Sequence, residues 1–273
     1  MGLTRVQKIK TSKGEVNIQI FGKGQRAFVL IHGNSSSSLS FSGMINEQVF
    51  LENYTSYCVD LPGHGNSGPL NKRDYNLELM ADIVAEVITA LSLQSFDLLG
   101  HSLGGHIALR ATKIVNPQKL FLLQCSPGKD LGEVASYFQP LNQSQYLYVE
   151  NPNISDVTSL FDALTNSKGP LDLLVQDFLK TDPKFRSSLG ESLGNTLFSN
   201  EIDILKNLRK AGVQTFLVIS SNDQFLKTEE LGRHWSNSEM LNFFETKAVG
   251  HYAHFSDFSV WFQSFKNLMV KEV

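Results

Sequence analysis

The chain has 273 residues, 41% of them hydrophobic and 19% charged, which is enough to bury the core of one ordinary α/β domain. Its formal net charge of -3 leaves no strongly basic surface, so nucleic acid is excluded as the expected partner. No run of eighteen apolar residues occurs, and we expect neither a transmembrane helix nor a membrane partner.

The chain starts with MGLTRVQKIKTSKGEV, which lacks the apolar segment of a signal peptide. Two cysteines, Cys58 and Cys125, each lie in an apolar run that resembles a strand. Free cysteines are commonly buried, so we interpret both as reduced thiols in the core. These observations predict a cytoplasmic protein.

Short β-rich runs alternate with helical patterns along the chain. The predicted strands are Arg5–Lys10, Val16–Phe21, Ala27–Ile31, Tyr54–Asp60, Ser95–Leu99, Lys119–Gln124, Val213–Ser220 and Met240–Glu245. The first two alternate in polarity, which suits an antiparallel hairpin that turns near Lys13-Gly14. From Ala27 onward the runs are continuously apolar, as is typical of parallel strands covered on both faces.

Helical spacing of apolar residues is clearest over Asp74–Leu91. Further helices are predicted over Leu103–Val115, Thr228–Ser236 and Ser256–Met269. This alternation indicates an α/β fold with a mainly parallel eight-stranded sheet and helices on both faces. Residues 126–200 break the rhythm with helical fragments, aromatic residues and several Gly, Asn and Pro positions. We therefore predict a core domain of residues 1–125 and 201–273 and an inserted, mainly helical cap of residues 126–200.

A candidate nucleophile lies in Gly100-His101-Ser102-Leu103-Gly104, which fits the pattern G-x-S-x-G. An apolar strand ends at this pentapeptide and a helical pattern follows it, which is the context of a nucleophile elbow. Small residues must flank such a serine because its turn is tight and strained. The sequence therefore predicts Ser102 as the nucleophile; the alternative is a serine that only caps the helix.

A serine hydroxyl needs an adjacent base to attack near neutral pH. In enzymes with this elbow, the histidine comes last in the chain, after the final strand, and the acid precedes it. His251 fits the base, with His254 as its nearest rival. Asp223 follows the penultimate strand and fits the acid, and Asp130 is the alternative. The acid would hold the imidazole tautomer and stabilise the imidazolium.

The oxyanion hole is predicted from two backbone N–H groups. One belongs to the residue after the nucleophile, Leu103, and the other to the loop after the strand Ala27–Ile31. That loop begins His32-Gly33-Asn34, and we assign the second N–H to Asn34. His32 is expected to pack beneath the loop.

In this order and spacing, His32-Gly33-Asn34, Asp60-Leu61-Pro62-Gly63-His64-Gly65-Asn66-Ser67, Gly100–Gly104, Asp223 and Gly250-His251 resemble the α/β-hydrolase superfamily. The resemblance covers nearly the whole chain, and it implies the α/β-hydrolase fold and a serine hydrolase. The glycines and the proline of the Asp60–Ser67 stretch are interpreted as shaping a turn.

A narrower resemblance is to the α/β-hydrolase N-acylhomoserine lactonases, which are capped and metal-independent. It is carried by His32-Gly33-Asn34-Ser35-Ser36-Ser37, Asp60–Gly65, Ser102-Leu103-Gly104-Gly105-His106-Ile107 and Asp156-Val157. The chain departs from that group in two respects. Leu160 and Phe161 stand nearest to its substrate-contacting cap tyrosine, and Gln224 replaces an acidic residue.

These observations predict a serine hydrolase that cleaves a carboxylic ester or lactone through an acyl-enzyme, with no metal or cofactor. N-acylhomoserine lactone is the favoured substrate; the alternatives are another small carboxylic ester and a non-catalytic receptor on the same fold. Ser at position 102 disfavours the chemistries that need an Asp nucleophile. The predicted substrate-binding residues are Phe41, His101, Phe161, Phe225 and Tyr252.

Overall fold

The computed structural model describes residues 3–72, 74–195 and 200–270. Its strands are β1 (Leu3–Thr11), β2 (Gly14–Phe21), β3 (Arg26–Ile31), β4 (Tyr54–Val59), β5 (Phe96–His101), β6 (Lys119–Leu123), β7 (Gln214–Ser221) and β8 (Asn242–Val249). They form one sheet in the order β1-β2-β4-β3-β5-β6-β7-β8. The β1–β2 and β2–β4 pairs are antiparallel and the others parallel, which confirms the predicted sheet.

Helices connect the strands and cover the sheet. They are α1 (Ser42–Ile45), α2 (Gln48–Asn53), α3 (Leu77–Ala90), α4 (Leu103–Ala111), α5 (Leu131–Ser136), α6 (Ile154–Leu164), α7 (Asp172–Lys180), α8 (Pro183–Asn195), α9 (Glu201–Lys210), α10 (Thr228–Trp235), α11 (Ala253–Ser256) and α12 (Phe258–Val270). Two 3-10 helices span Ser38–Phe41 and Asn142–Tyr148. Among the described residues, no helix is both long and apolar enough to cross a membrane.

The hydrophobic core has two layers, one on each face of the sheet. Alternate residues of β3 supply both: Val29 and Ile31 belong to the layer that contains α3, while Phe28 and Leu30 belong to the layer that contains α12. Successive side chains of a strand point to opposite faces, so a wholly apolar strand needs cover on both sides. This explains why the central strands are continuous apolar runs.

Several element boundaries differ from the sequence predictions. The last strand continues beyond its predicted end to Val249. Thr246 and Ala248 are buried while Lys247 is exposed, and this alternation at the edge of the sheet interrupts the apolar run on which the prediction relied. The predicted helix after Ser102 ends at Ala111, before a turn, and the C-terminal helix is divided into α11 and α12. The short helices α1 and α2 were not predicted.

The segment between β6 and α9 is mainly helical and contains α5 to α8. Its apolar residues, which include Leu160, Phe161 and Phe178, form a small cluster together with Tyr252 from the loop after β8. Its predicted limits at residues 126 and 200 stay a prediction, and residues 196–199 lie outside the described residues.

This segment is joined to the Asp60–Ser67 loop of the core. The Asp182 N–H donates to the Gly63 carbonyl at 2.8 Å, and Lys180 Nζ donates to Asn66 Oδ1 at 2.8 Å. The Tyr75 hydroxyl donates to Asp182 Oδ2 at 2.7 Å. The motif that the sequence analysis interpreted as a turn therefore also supports the helical segment.

Candidate active site

Ser102 lies in a strained turn between β5 and α4, with φ 52° and ψ -120°. A Cβ at Gly100 would lie 2.2 Å from the Gly104 carbonyl oxygen, and one at Gly104 would lie 2.3 Å from the His32 carbonyl oxygen. Both glycines are therefore required by the close approach of backbone to backbone. The Ser102 N–H donates to the Leu123 carbonyl at 2.8 Å, which ties the turn to β6.

The base is brought to Ser102 by the loop that follows β8. His251 Nε2 lies 2.9 Å from Ser102 Oγ, and the His251 side chain is almost fully buried. Gly250 precedes it with φ 93°, a conformation that a side chain would strain. The His251 N–H donates to the Leu164 carbonyl at the end of α6, at 2.7 Å.

The acid follows β7. Asp223 Oδ2 lies 2.8 Å from His251 Nδ1 and accepts from Gln124 Nε2 at 2.6 Å. Asp223 Oδ1 accepts the N–H groups of Phe225 at 2.7 Å and Leu226 at 3.0 Å. A carboxylate in this position keeps the imidazole proton on Nδ1, so that the Nε2 lone pair faces the serine hydroxyl.

The two predicted oxyanion donors lie beside the same serine. Asn34 and Leu103 both line the cavity that Ser102 lines. Within residues 3–72, 74–195 and 200–270, neither backbone N–H donates a hydrogen bond. The Asn34 side chain is engaged elsewhere, because its Nδ2 donates to the Leu147 carbonyl at 3.3 Å and its Oδ1 accepts from the Ser35 hydroxyl at 2.8 Å. The backbone groups are thus free to hold an oxyanion.

The rival residues have other roles. His254 is buried, and burial lowers its pKa to about 3; its ring nitrogens have no hydrogen-bond partner among the described residues. Asp130 Oδ1 accepts the Glu133 N–H at 2.8 Å and caps α5. His32 packs beneath the oxyanion loop, where its Nε2 accepts the Leu61 N–H at 3.0 Å. The hydrogen bonds therefore favour His251 and Asp223 over these alternatives.

A cavity of about 180 Å³ opens beside Ser102. Most of its wall is apolar. It comes from the loop after β3, from α3 and α4, from the loops after β6 and β7, and from the helical segment between β6 and α9. The apolar lining includes Leu77, Val134, Phe138, Leu147, Leu189 and Phe225. An apolar lining with a few polar groups is typical of small-molecule sites. Of the five predicted substrate-binding residues, Phe225 lies in this wall.

The other four predicted substrate-binding residues do not line this cavity. Phe41 is buried with its ring 5.4 Å from that of His254, and Phe161 and Tyr252 pack on each other at 5.7 Å. His101 is buried behind the base, where its Nε2 donates to the His251 carbonyl at 2.9 Å. Proximity to a motif in the sequence does not fix which way a side chain points. In contrast, Phe138 and Tyr148 line the cavity, and neither is among the five predicted substrate-binding residues.

A family model described as alpha/beta hydrolase family matches residues 28–260. The chain belongs to the alpha/beta hydrolase family. A Mycoplasma genitalium protein whose name suggests an esterase or lipase is 24% identical to this hydrolase over 251 residues, which cover 85% of this chain and 84% of the relative. An Aeromonas salmonicida pimeloyl-[acyl-carrier protein] methyl ester esterase is 34% identical over 108 residues, 40% of this chain and 39% of the relative.

Solved structures share the fold of this hydrolase over its whole length. The crystal structure of N-acyl homoserine lactonase AidH complexed with N-butanoyl homoserine superimposes with a TM-score of 0.82, at 22% identity over 98% of this chain and 97% of the other. An esterase from Exiguobacterium antarcticum gives a TM-score of 0.77 at 21% identity and covers 100% of both chains. At these identities the likeness shows the fold alone.

The sequence analysis of this hydrolase missed Gln124, which contacts the acid. Its only signal is that it is a polar residue directly after the apolar strand β6, at the edge where the catalytic loops meet. In the part of the chain that the structure describes, no three His, Cys, Asp or Glu side chains converge in a group that could hold a metal ion.

Proposed function

We propose that the protein is a serine hydrolase that cleaves carboxylic esters or lactones through an acyl-enzyme. The observation that carries the proposal is the continuous hydrogen-bonded line from Ser102 Oγ to His251 at 2.9 Å and from His251 to Asp223 at 2.8 Å, beside an apolar cavity. A hydroxyl, an imidazole and a carboxylate in this order form the arrangement that acyl transfer requires.

In the first half-reaction, His251 Nε2 removes the Ser102 proton while Oγ attacks the carbonyl carbon. The backbone N–H groups of Asn34 and Leu103 hold the resulting oxyanion, and loss of one such donor typically costs about 10²- to 10³-fold in rate. Collapse breaks the bond to the leaving oxygen, which takes the proton from His251. In a lactone, that alcohol remains tethered to the acyl group. Water activated by His251 then releases the acid and restores Ser102.

For the substrate, we propose N-acylhomoserine lactone as the favoured class. Its support is the fold shared with AidH and an apolar wall that suits an acyl chain. A simpler carboxylic ester is the second candidate. It is favoured by Leu160 and Phe161, which are fully buried in the apolar cluster of the helical segment and supply no polar contact to a lactone. Gln224 is half-buried and its Nε2 donates to Asn222, which again supplies no such contact.

Ser102→Ala tests the mechanism. We expect it to abolish p-nitrophenyl butyrate hydrolysis and to leave the melting temperature unchanged, because the hydroxyl is the nucleophile. Ser159→Ala, at an exposed position of α6, is the matched control and should keep full activity. Near-wild-type turnover by Ser102→Ala would disprove the mechanism, and release of at most one equivalent by the wild type would favour a receptor.

A pair of substrates with the same acyl group separates the two substrate classes. N-hexanoyl homoserine lactone and p-nitrophenyl hexanoate are compared by kcat/KM with a chelator present. Preference for the lactone supports the lactonase proposal. Hydrolysis of the ester with no ring opening leaves the carboxylesterase as the function.

A further inference from the structure

Gln124 connects three parts of the catalytic machinery. It follows β6, is 3% exposed and has φ 45°, in the left-handed region that non-glycine residues rarely occupy. Its Nε2 donates to Asp223 Oδ2 at 2.6 Å and to the Gly250 carbonyl at 3.3 Å. Its Oε1 accepts the Ser220 N–H at 2.6 Å. One side chain therefore contacts the acid, the loop of the base and the end of β7.

The contacts use both the donor and the acceptor side of the amide, a combination that needs a donor and an acceptor on one side chain. One oxygen accepts from a main chain, and one NH₂ group donates to a carboxylate and to a carbonyl. A hydrogen bond to a charged group is stronger than one between neutral groups. The backbone N–H of Gln124 donates to the Val218 carbonyl at 3.0 Å, which anchors the residue to β7. The amide is thus held at a fixed position relative to Asp223.

We propose that Gln124 is a positioning residue of the catalytic machinery. It holds the Asp223 carboxylate and the Gly250-His251 loop in the relative position that the hydrogen bond from His251 to Ser102 requires. The inference rests on the proposed serine-hydrolase function and extends it to a residue that the nucleophile, base and acid motifs do not include.

The chain offers a matched control in Gln139. Its Nε2 donates to the Asp223 main-chain carbonyl at 2.7 Å and to the Leu226 carbonyl at 2.8 Å, so it supports the same loop without touching the carboxylate. If support of the loop were all that mattered, loss of either amide would have similar consequences. If contact with the carboxylate and with the base loop matters, only Gln124 affects the chemical step.

The first test compares Gln124→Leu with Gln139→Leu. Each variant removes one of the two amides and puts an apolar side chain in its place. With p-nitrophenyl butyrate, we expect Gln124→Leu to lower kcat about 10- to 100-fold, the usual effect of one hydrogen bond to a charged group. KM should change less than twofold, since Gln124 acts on the acid rather than on the substrate. Gln139→Leu should keep kcat within about twofold even if its melting temperature falls.

The second test uses Gln124→Glu, which keeps the shape. A protonated Glu side chain can donate to Asp223 as the amide does, whereas an ionised one places two carboxylates in contact and repels the acid. The ratio of variant to wild-type kcat/KM should therefore fall as pH rises through the neutral range. A residue that only fills space gives a flat ratio. If Gln124→Leu does not fold, Gln124→Glu still tests the positioning role, because it can be compared with the wild type from low pH upward.

The rate at which a fluorophosphonate inactivates Ser102 separates this inference from the proposed function. In that reaction Oγ attacks phosphorus and fluoride leaves, so the rate reports activation of the serine with no ester substrate. If the wild type is labelled at Ser102 but hydrolyses no ester or lactone, the proposed function fails, and the labelling rates of the two leucine variants still test Gln124. Equal kcat or labelling rates in wild type and Gln124→Leu, an equal loss in Gln139→Leu, or a flat pH ratio for Gln124→Glu would overturn the positioning role.

Discussion

Two aspartates, Asp60 and Asp223, follow parallel strands at the same edge of the sheet, and both are almost fully buried. Asp223 accepts hydrogen bonds from two main-chain N–H groups, one amide and the imidazole of His251. Asp60 Oδ1 accepts the Ser38 N–H, and its Oδ2 accepts from Asn17 Nδ2 and from the Asn66 N–H, each at 2.9 Å.

The two sites differ in what their donors contact in turn. The donors to Asp60 belong to β2, to the 3-10 helix Ser38–Phe41 and to the loop after β4, so the carboxylate joins these three segments, and none of these donors is hydrogen-bonded to Ser102. A histidine also lies near Asp60, but His32 uses Nε2 to accept from Leu61 and Nδ1 to donate to the Gly33 carbonyl. Burial and satisfied hydrogen bonds therefore do not make an acid catalytic. The imidazole of His251, which joins Asp223 to Ser102, is the reason why we propose a catalytic role for Asp223 and not for Asp60.

The strongest test of this comparison is Asp223→Asn. The amide would present an N–H to His251 Nδ1 and favour the tautomer whose Nε2 carries the proton, so kcat should fall by about 10³- to 10⁴-fold. Ester hydrolysis and thermal unfolding measure the effect on rate and on stability. Asp130→Asn, at the cap of α5, is the control and should keep kcat within about twofold. Activity above a tenth of wild type in Asp223→Asn would remove the distinction between the two aspartates.

Asp60→Asn tests the other side of the comparison. An amide nitrogen at this position would face either Asn17 Nδ2 and the Asn66 N–H or the Ser38 N–H, so at least one buried donor loses its acceptor. We expect the free energy of unfolding to fall by about 2 to 3 kcal/mol. The folded fraction should keep kcat within about threefold, measured by urea unfolding and ester hydrolysis. A rate loss as large as that of Asp223→Asn would assign Asp60 a catalytic role.

A third buried carboxylate, Asp177 on α7, extends the comparison of buried aspartates. Its expected effect on the free energy of unfolding is smaller than that of Asp60. Its Oδ2 accepts from the Ser37 hydroxyl at 2.5 Å, and burial raises its pKa to about 6. Between about pH 4 and 6, the native state therefore binds more protons than the unfolded chain, and the free energy of unfolding falls as pH rises through that window.

Asp177→Asn removes the buried charge and should stabilise the protein by about 1 to 2 kcal/mol above pH 6, with little effect near pH 4. Urea unfolding at pH 4.5 and 7.5 measures both values. Asp172→Asn, at an exposed position of the same helix, should show no such difference between the two pH values. A stabilisation that is independent of pH would show that ionisation of Asp177 is not its cause.

The sequence was sufficient to predict the residues that meet at the sheet edge. Parallel strands bring their carboxyl ends to one edge, so the positions of Ser102, Asp223 and His251 directly after β5, β7 and β8 are enough to place them together. Gln124 has no such motif, because its role depends on the direction of one side chain after β6.

The wall of the cavity could not be predicted in the same way. Phe41 and Phe225 both lie close to motif residues in the chain, but Phe41 faces His254 in the core and Phe225 lines the cavity. Whether an aromatic side chain of a loop faces the core or the cavity depends on how α5 to α8 pack on the sheet. That packing is set by residues far apart in the chain. The end of β8 could not be predicted either. This strand lies at the edge of the sheet, and because exposed and buried residues alternate in its second half, that half is not a continuous apolar run.

The hydrogen bond from the His251 N–H to the Leu164 carbonyl bears on the engineering of chimeras. Leu164 is the last residue of α6, and its carbonyl also accepts the Tyr252 N–H at 3.3 Å. A graft that exchanges the helical segment for that of a relative therefore replaces part of the support of His251, the proposed general base, along with part of the cavity wall. A successful donor must end the corresponding helix at the same place, or the recipient must be redesigned at Gly250.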